Sequence, residues 1–206
     1  DNGLVYRYSV PPACSTPTGS PSNLVIGGTS ITTTAFTGNS FTPATPSSIR
    51  YLVLRSTVNT PPDATLVPNG TYWGPGNVIG GTYTVISTTN ASSFVQTGLA
   101  NNTTYHYWVI PYDGDCFGGP LYNLSNMISG SQTTCIPATT LLANTGVNGN
   151  GFTINFNAVP GATNYQIDVS TNNTFTAILP AYNNVLTGGA TSFTVTDLPP
   201  LTTYFF

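Results

Sequence analysis

The chain has no lysine and no glutamate. All of its charge sits on Arg7, Arg50 and Arg55 and on Asp1, Asp63, Asp113, Asp115, Asp168 and Asp197. Charged residues make up 4% of the 206, against about 25% in an average soluble domain. With a formal net charge of −3 and a pI near 4.4, the clustered Lys/Arg that a phosphate backbone demands is missing, so no nucleic-acid partner is expected. No apolar run approaches the ~20 residues that span a bilayer, so no membrane insertion is expected either. Little charge does not mean disorder, because disordered chains are charge-rich and poor in aromatics, and aromatics here are 12%. No signal peptide opens the sequence, and an Asp at residue 1 in place of Met marks a mature, processed or fragmentary chain.

The residues that abound are Thr, Val, Ile, Tyr and Phe, a β composition, with Thr, Ser and Asn at alternate positions to supply solubility. Short segments recur between Gly, Pro, Asn and Ser clusters. Strands are expected near Asn23–Ile26, Ile31–Phe36, Arg50–Arg55, Thr82–Ser87, Ser93–Thr97, Thr104–Tyr112 and Met127–Thr133. A second series is expected near Phe152–Asn157, Asn164–Ser170 and Ser192–Thr196, with a last strand opening at Thr203. About seven short strands without a helical pattern is the signature of a β-sandwich.

The two series repeat each other. Leu99-Ala-Asn-Asn-Thr-Thr-Tyr105 and Leu198-Pro-Pro-Leu-Thr-Thr-Tyr204 both read L-x-x-x-T-x-Y, and each follows an alternating strand. A Tyr at the start of the penultimate strand is the tyrosine corner of immunoglobulin-like sandwiches, which assigns that role to Tyr105 and Tyr204. Upstream, Phe41-Thr-Pro-Ala precedes Tyr51-Leu-Val-Leu-Arg, and Phe156-Asn-Ala-Val-Pro-Gly-Ala precedes Tyr165-Gln-Ile-Asp-Val. Phe41 and Phe156 take the place of the core aromatic. Over residues 20–206 the layout resembles fibronectin type III domains. The wording Cys-Ser-Thr-Pro, Tyr-Leu-Val-Leu-Arg-Ser and Gly-Gly-Pro-Leu-Tyr-Asn is similar to modules of large secreted and surface proteins of Bacteroidota, often exported by the type IX system. The resemblance implies an all-β fold of tandem immunoglobulin-like sandwiches, an extracellular or cell-surface location, and neighbouring modules or like subunits as partners. No Arg-Gly-Asp occurs, so no integrin role carries over.

The expected organisation is a linker or end of a preceding module over 1–13, a first module over 14–134, and a second over 135–206 that stops in its penultimate strand. The segment Leu4-Val-Tyr-Arg-Tyr-Ser-Val10 alternates, and reads either as that preceding tail or as a strand donated to a neighbour. Three cysteines are an odd set. Cys14 opens the first module and Cys116 follows Tyr105 by 11 residues, in the turn after its strand. These two are expected to form a disulfide, which implies an oxidising compartment. Cys135 opens the second module as Cys14 opens the first, and its partner would lie about as far beyond Tyr204, past Phe206.

Candidate chemistry is sparse. His106 is the only histidine, on a strand between Tyr105 and Tyr107, where a half-exposed structural role is expected. Asp113-Gly-Asp115 is a weak calcium candidate, since calcium takes carboxylate and carbonyl oxygens, but two Asp without a third carboxylate make a poor cage, and an Asp/Gly-rich turn is the plainer reading. No C-x-x-C pair suggests zinc, and no cofactor, metal or catalytic residue is assigned. The Cys-to-Tyr span is 91 residues in the first module and 69 in the second, so the first carries an insert of about 22. Long loops often carry function, and Tyr72 and Trp73, with Asn69 and Asn77 nearby, are candidate glycan-binding residues. N-x-[ST] sequons stand at Asn69, Asn90, Asn101, Asn102, Asn123 and Asn172. The expected function is a non-catalytic spacer in a surface adhesin or fibre. A carbohydrate-binding accessory of a secreted enzyme and a strand-exchanging polymer subunit are the alternatives.

Overall fold

The computed structural model describes residues 10–45 and 50–206. Apart from Val10, the candidate donor segment Leu4–Val10 lies outside them. The chain divides into two compact units, one ending at Cys135 and the other beginning at Ile136. The first contains β1 (Ser22–Val25), β2 (Ser30–Ile31), β3 (Phe36–Thr42), β4 (Arg50–Ser56), β5 (Val78–Ile79), β6 (Tyr83–Ser87), β7 (Ser93–Gln96), β8 (Thr104–Asp113), β9 (Leu121–Tyr122) and β10 (Ile128–Thr133). One antiparallel sheet joins β3 to β1, β2 and β7; the other runs β10-β8-β4-β6-β5, with β9 on the end of β8.

The pair β4–β8 organises this unit. It stays in register without a break from Arg50 opposite Tyr112 to Ser56 opposite His106. Successive side chains of a strand point to opposite faces. Tyr51 and Val53 of β4, with Tyr105, Tyr107 and Val109 of β8, face the other sheet and pack with Phe36, Phe41, Phe94 and Leu99. Leu52 and Leu54, with Trp108, Ile110 and Tyr112, face the opposite way, and they are buried too. What covers them is the insert between β4 and β6, through Val67, Ile79 and the half-buried Leu66 and Trp73. The first unit is therefore a sandwich with a third, largely irregular layer on the outside of its larger sheet. The long connection that reads as a functional loop in the sequence is, in its buried part, a second core.

One expected strand is displaced. The segment Ile31–Phe36 is not extended throughout: the Thr32 amide donates to the Ala35 carbonyl at 2.9 Å, and the Thr34 amide donates to Thr32 Oγ1 at 3.3 Å. This turn leaves Ser30–Ile31 as a short strand and moves the main one to Phe36–Thr42. A bulge interrupts β3 opposite β7 between Phe36 and Asn39, where Gly38 has φ +69°. Asn39 sits there fully buried, its Nδ2 donating to the carbonyls of Phe36 (2.9 Å) and Phe94 (3.0 Å) and its Oδ1 accepting from the Gly27 amide (2.8 Å). Its three bonds replace the ladder bonds that the bulge breaks.

The second unit contains β11 (Thr145–Asn148), β12 (Gly151–Asn155), β13 (Gln166–Ile167), β14 (Val185–Leu186) and β15 (Ser192–Val195). Its sheets are β11-β12-β15 and β13-β14, around a core of Ile154, Phe156, Ile167, Val169, Val195 and Leu198. Of the strand expected over Asn164–Ser170, only Gln166–Ile167 is regular, and Ser170 is tied separately by bridges to Ile178 and Phe205. Both units are immunoglobulin-like β-sandwiches.

The outer core makes a direct prediction. Leu54→Ala removes a side chain that faces away from the sandwich interior, yet it should destabilise the protein by about 2–5 kcal/mol in urea unfolding. A loss under about 0.5 kcal/mol would mean that the insert does not pack on the sheet.

Candidate functional site

The two units build the same set of contacts around tyrosine hydroxyls. In the first, the Ala100 amide donates to the Tyr105 hydroxyl at 2.9 Å. In the second, the Tyr204 hydroxyl bonds to residue 199, again five positions upstream, at 3.1 Å. The direction of the bond reverses because residue 199 is a proline, which has no N–H, so the hydroxyl donates to its carbonyl instead. A hydroxyl both donates and accepts, which lets one motif survive the change.

A second clamp was not legible as such in the sequence. Tyr51 packs edge-on against Phe41 with ring centroids 4.8 Å apart, and its hydroxyl accepts from the Ala44 amide at 2.7 Å. Tyr165 does the same, 4.8 Å from Phe156, with its hydroxyl accepting from the Val159 amide at 2.7 Å. Phe41-to-Ala44 and Phe156-to-Val159 are the same step of three residues. The Phe-turn-Tyr wording is the signal in the sequence: it marks two packed rings, and in the fold the phenol also closes the turn.

The disulfide joins Cys14 to Cys116, 102 residues apart in sequence. It fastens the segment before β1 to the β8–β9 connection. The Cys14 amide donates to the Phe117 carbonyl and the Phe117 amide to the Pro12 carbonyl, both at 2.9 Å. Asn123 Nδ2 donates to the Pro17 carbonyl at 2.7 Å, and Asn126 Nδ2 to that of Thr18 at 2.8 Å. Closing so long a loop contributes about 4–5 kcal/mol in the chain-entropy account. Cys135 is a free, exposed thiol, 3.3 Å from the Ile31 carbonyl.

The calcium candidates are held apart in their bonding. Asp113 Oδ2 accepts from the Ser15 amide at 3.1 Å, while Asp115 Oδ2 takes the Arg50 Nε at 2.7 Å. Asp113 does lie close to the sulfurs of Cys14 and Cys116, but those sulfurs are bonded to each other and are not thiolate ligands. The Arg50 guanidinium neutralises the second carboxylate, so the pair does not present two free anionic groups to a cation. His106 stands on β8 opposite Ser56 and Ser131, its ring 6.2 Å from that of Trp108. Arg55 lies 5.1 Å above the Tyr105 ring and donates to Gln96 Oε1 at 3.0 Å, capping the corner.

Within the insert, Asp63 Oδ1 accepts from Thr65 Oγ1 (2.6 Å) and from the amides of Thr65 (2.9 Å) and Leu66 (3.1 Å). These bonds, the Thr65 hydroxyl first, hold its carboxyl below the ordinary range. Tyr72 is 63% exposed with its hydroxyl donating to the Gly114 carbonyl at 3.0 Å. Trp73 turns into the outer core, where its Nε1 is buried without a partner among the described residues. Asn77 Oδ1 accepts from the Gly74 amide at 2.7 Å, and Asn69 Oδ1 from the Tyr122 amide at 2.8 Å. The two aromatics thus part company: one ring is exposed and tethered, the other is packed.

No family model matches the chain, and no curated protein matches it. Among solved structures, a two-domain fibronectin type III segment from chicken tenascin aligns with 14% identity over 89% of this chain and 86% of that one, with a TM-score of 0.44. The FN1–FN3 domains of chicken CNTN1 align with 14% identity over 97% of this chain and 62% of that one, with a TM-score of 0.35.

The clamps differ in what surrounds them, and the difference is measurable. Tyr51→Phe leaves the buried Ala44 amide without a partner and should cost about 1–3 kcal/mol in chemical unfolding. Tyr165→Phe, at a partly exposed site, should cost less. Equal and negligible losses would show that the hydroxyls are incidental to the fold.

Proposed function

We propose that the chain is a non-catalytic spacer of an extracellular surface protein, an adhesin or fibre. One observation carries this reading: apart from the exposed Cys135 thiol and His106, the candidate chemical groups described above are engaged in holding the fold. The tyrosine hydroxyls close turns, Asp63 and Asp113 accept backbone amides, Asp115 neutralises Arg50, and Trp73 fills a core. The disulfide suits an oxidising compartment, and no helix is long and apolar enough to cross a membrane. The similarity to modules of secreted Bacteroidota proteins supports an exported protein of that kind, delivered by the type IX route. A spacer transmits force, so stretching single molecules is the test. With the disulfide intact, the loop between Cys14 and Cys116 cannot extend. Reduction should therefore add roughly 35 nm of contour for the 102-residue separation at about 3.5 Å per residue. A first unit that yields without a distinct force peak would remove the spacer reading.

A further inference from the structure

A cleft of about 370 Å³ opens in the first unit where the insert meets the segment held by the disulfide and the β8–β9 region. Val67 and Tyr122, both buried, form its base. Thr16, Asn69 and Ser125 supply side-chain polar groups around it. Asn69 is oriented by its own fold. Because Oδ1 accepts from the Tyr122 amide at 2.8 Å, the amide group is fixed and Nδ2 is left as a donor with no partner among the described residues. The hydroxyls of Thr16 and Ser125 likewise make no bond among the described residues. Asn123, by contrast, is spent at both ends, on the Pro17 carbonyl and the Asn126 amide.

The walls are pinned from three directions. The Gly70 amide donates to the Pro120 carbonyl at 2.8 Å, the Tyr122 hydroxyl donates to the Thr71 carbonyl at 2.9 Å, and the disulfide holds the third side. A site already in shape spares a ligand the cost of ordering it. The size lies within the range of small-molecule sites, and the lining sets the fixed Asn69 amide and the exposed hydroxyls of Thr16 and Ser125 around Val67 and Tyr122. No charged residue lines the cleft. An ionic ligand would lose its hydration there without a counter-charge, whereas a neutral molecule with adjacent hydroxyls could accept from Asn69 Nδ2 and exchange bonds with both hydroxyls.

We infer that this cleft is a binding site for a neutral saccharide unit, held by Asn69, Thr16 and Ser125. It is separate from the Tyr72–Trp73 pair, of which Trp73 is occupied with packing. The probe is a panel of neutral hexoses, N-acetylhexosamines and their disaccharides, followed by saturation-transfer NMR on the whole chain. At least one sugar should bind saturably, with affinity unchanged between low and high salt because no charge takes part. Asn69→Asp keeps the acceptor that the Tyr122 amide needs and removes the donor, so it should weaken binding about tenfold or more, which corresponds to the loss of one good hydrogen bond. Ser125→Ala should weaken it without adding charge, and Trp73→Phe should leave it unchanged. Thermal unfolding verifies that each variant is folded. Absence of binding across the panel, or Asn69→Asp binding as tightly as the unaltered chain, would overturn the inference. So would an intact mass showing a glycan attached at Asn69, since the free amide would then be consumed.

Discussion

The first unit depends on a sheet that is apolar on both sides. Strands β4 and β8 read Tyr-Leu-Val-Leu and Tyr-Trp-Val-Ile at their centres, without the polar alternation that lets one face meet water. Such strands belong between two layers. The opposite sheet satisfies one face, and the insert must satisfy the other. Burying an aliphatic or aromatic side chain stabilises by about 1.5–3 kcal/mol, and the outer core has ten buried residues. An irregular segment can then serve as a structural layer because its few fixed points, Val67, Ile79 and the turn at Asp63, are anchored in that core or by their own hydrogen bonds.

The second unit shows the same rule from the other side. Tyr51 and Val53 correspond to Tyr165 and Ile167, so the inward positions stay apolar. Leu52 and Leu54 correspond to Gln166 and Asp168, so the outward positions are polar. Gln166 Nε2 donates to Asn184 Oδ1 at 2.6 Å, and Asp168 Oδ1 accepts from the Asn184 amide at 2.6 Å. A face made of such residues requires no cover, and this unit has a Cys-to-Tyr span shorter by about 22 residues. Insert and outer apolar face come together and are lost together. That correlation ties the length of the insert to packing, independently of any ligand.

Much of the architecture was legible because it rests on local patterns. The tyrosine corner is visible as L-x-x-x-T-x-Y, and the pairing of Cys14 with Cys116 follows from the repeat. The displaced strand was not legible, since Ile31-Thr-Thr-Thr-Ala-Phe36 has fine β propensity and only the Thr32 hydroxyl and amide turn it. The third layer was written in the sequence as well, in the missing alternation of Tyr51–Leu54 and Tyr107–Ile110, but a count of strands does not weigh it. The Asn69 cleft could not be read in advance. It joins residues 16, 69 and 125, which no spacing brings together without the disulfide and the hydrogen bonds to Pro17 and Pro120.

The scarcity of charge fits this construction. Among the described residues the ion pair is Arg50 with Asp115, at an exposed position, and such a pair contributes about 0–1 kcal/mol. Cohesion comes instead from buried aromatics, hydroxyls closed onto backbone, amide side chains such as Asn39, and one covalent link. None of these is screened by salt, and the buried phenols of Tyr107, Tyr112 and Tyr122 are pushed, by burial first, to titrate above the ordinary tyrosine range. A phenol is neutral throughout the pH range in which histidines and carboxylates change state, and burial extends that neutrality further into the alkaline range. A fold whose stability draws so little on titratable or screened groups is consistent with the spacer proposed above, which would meet salt and pH that no cell controls.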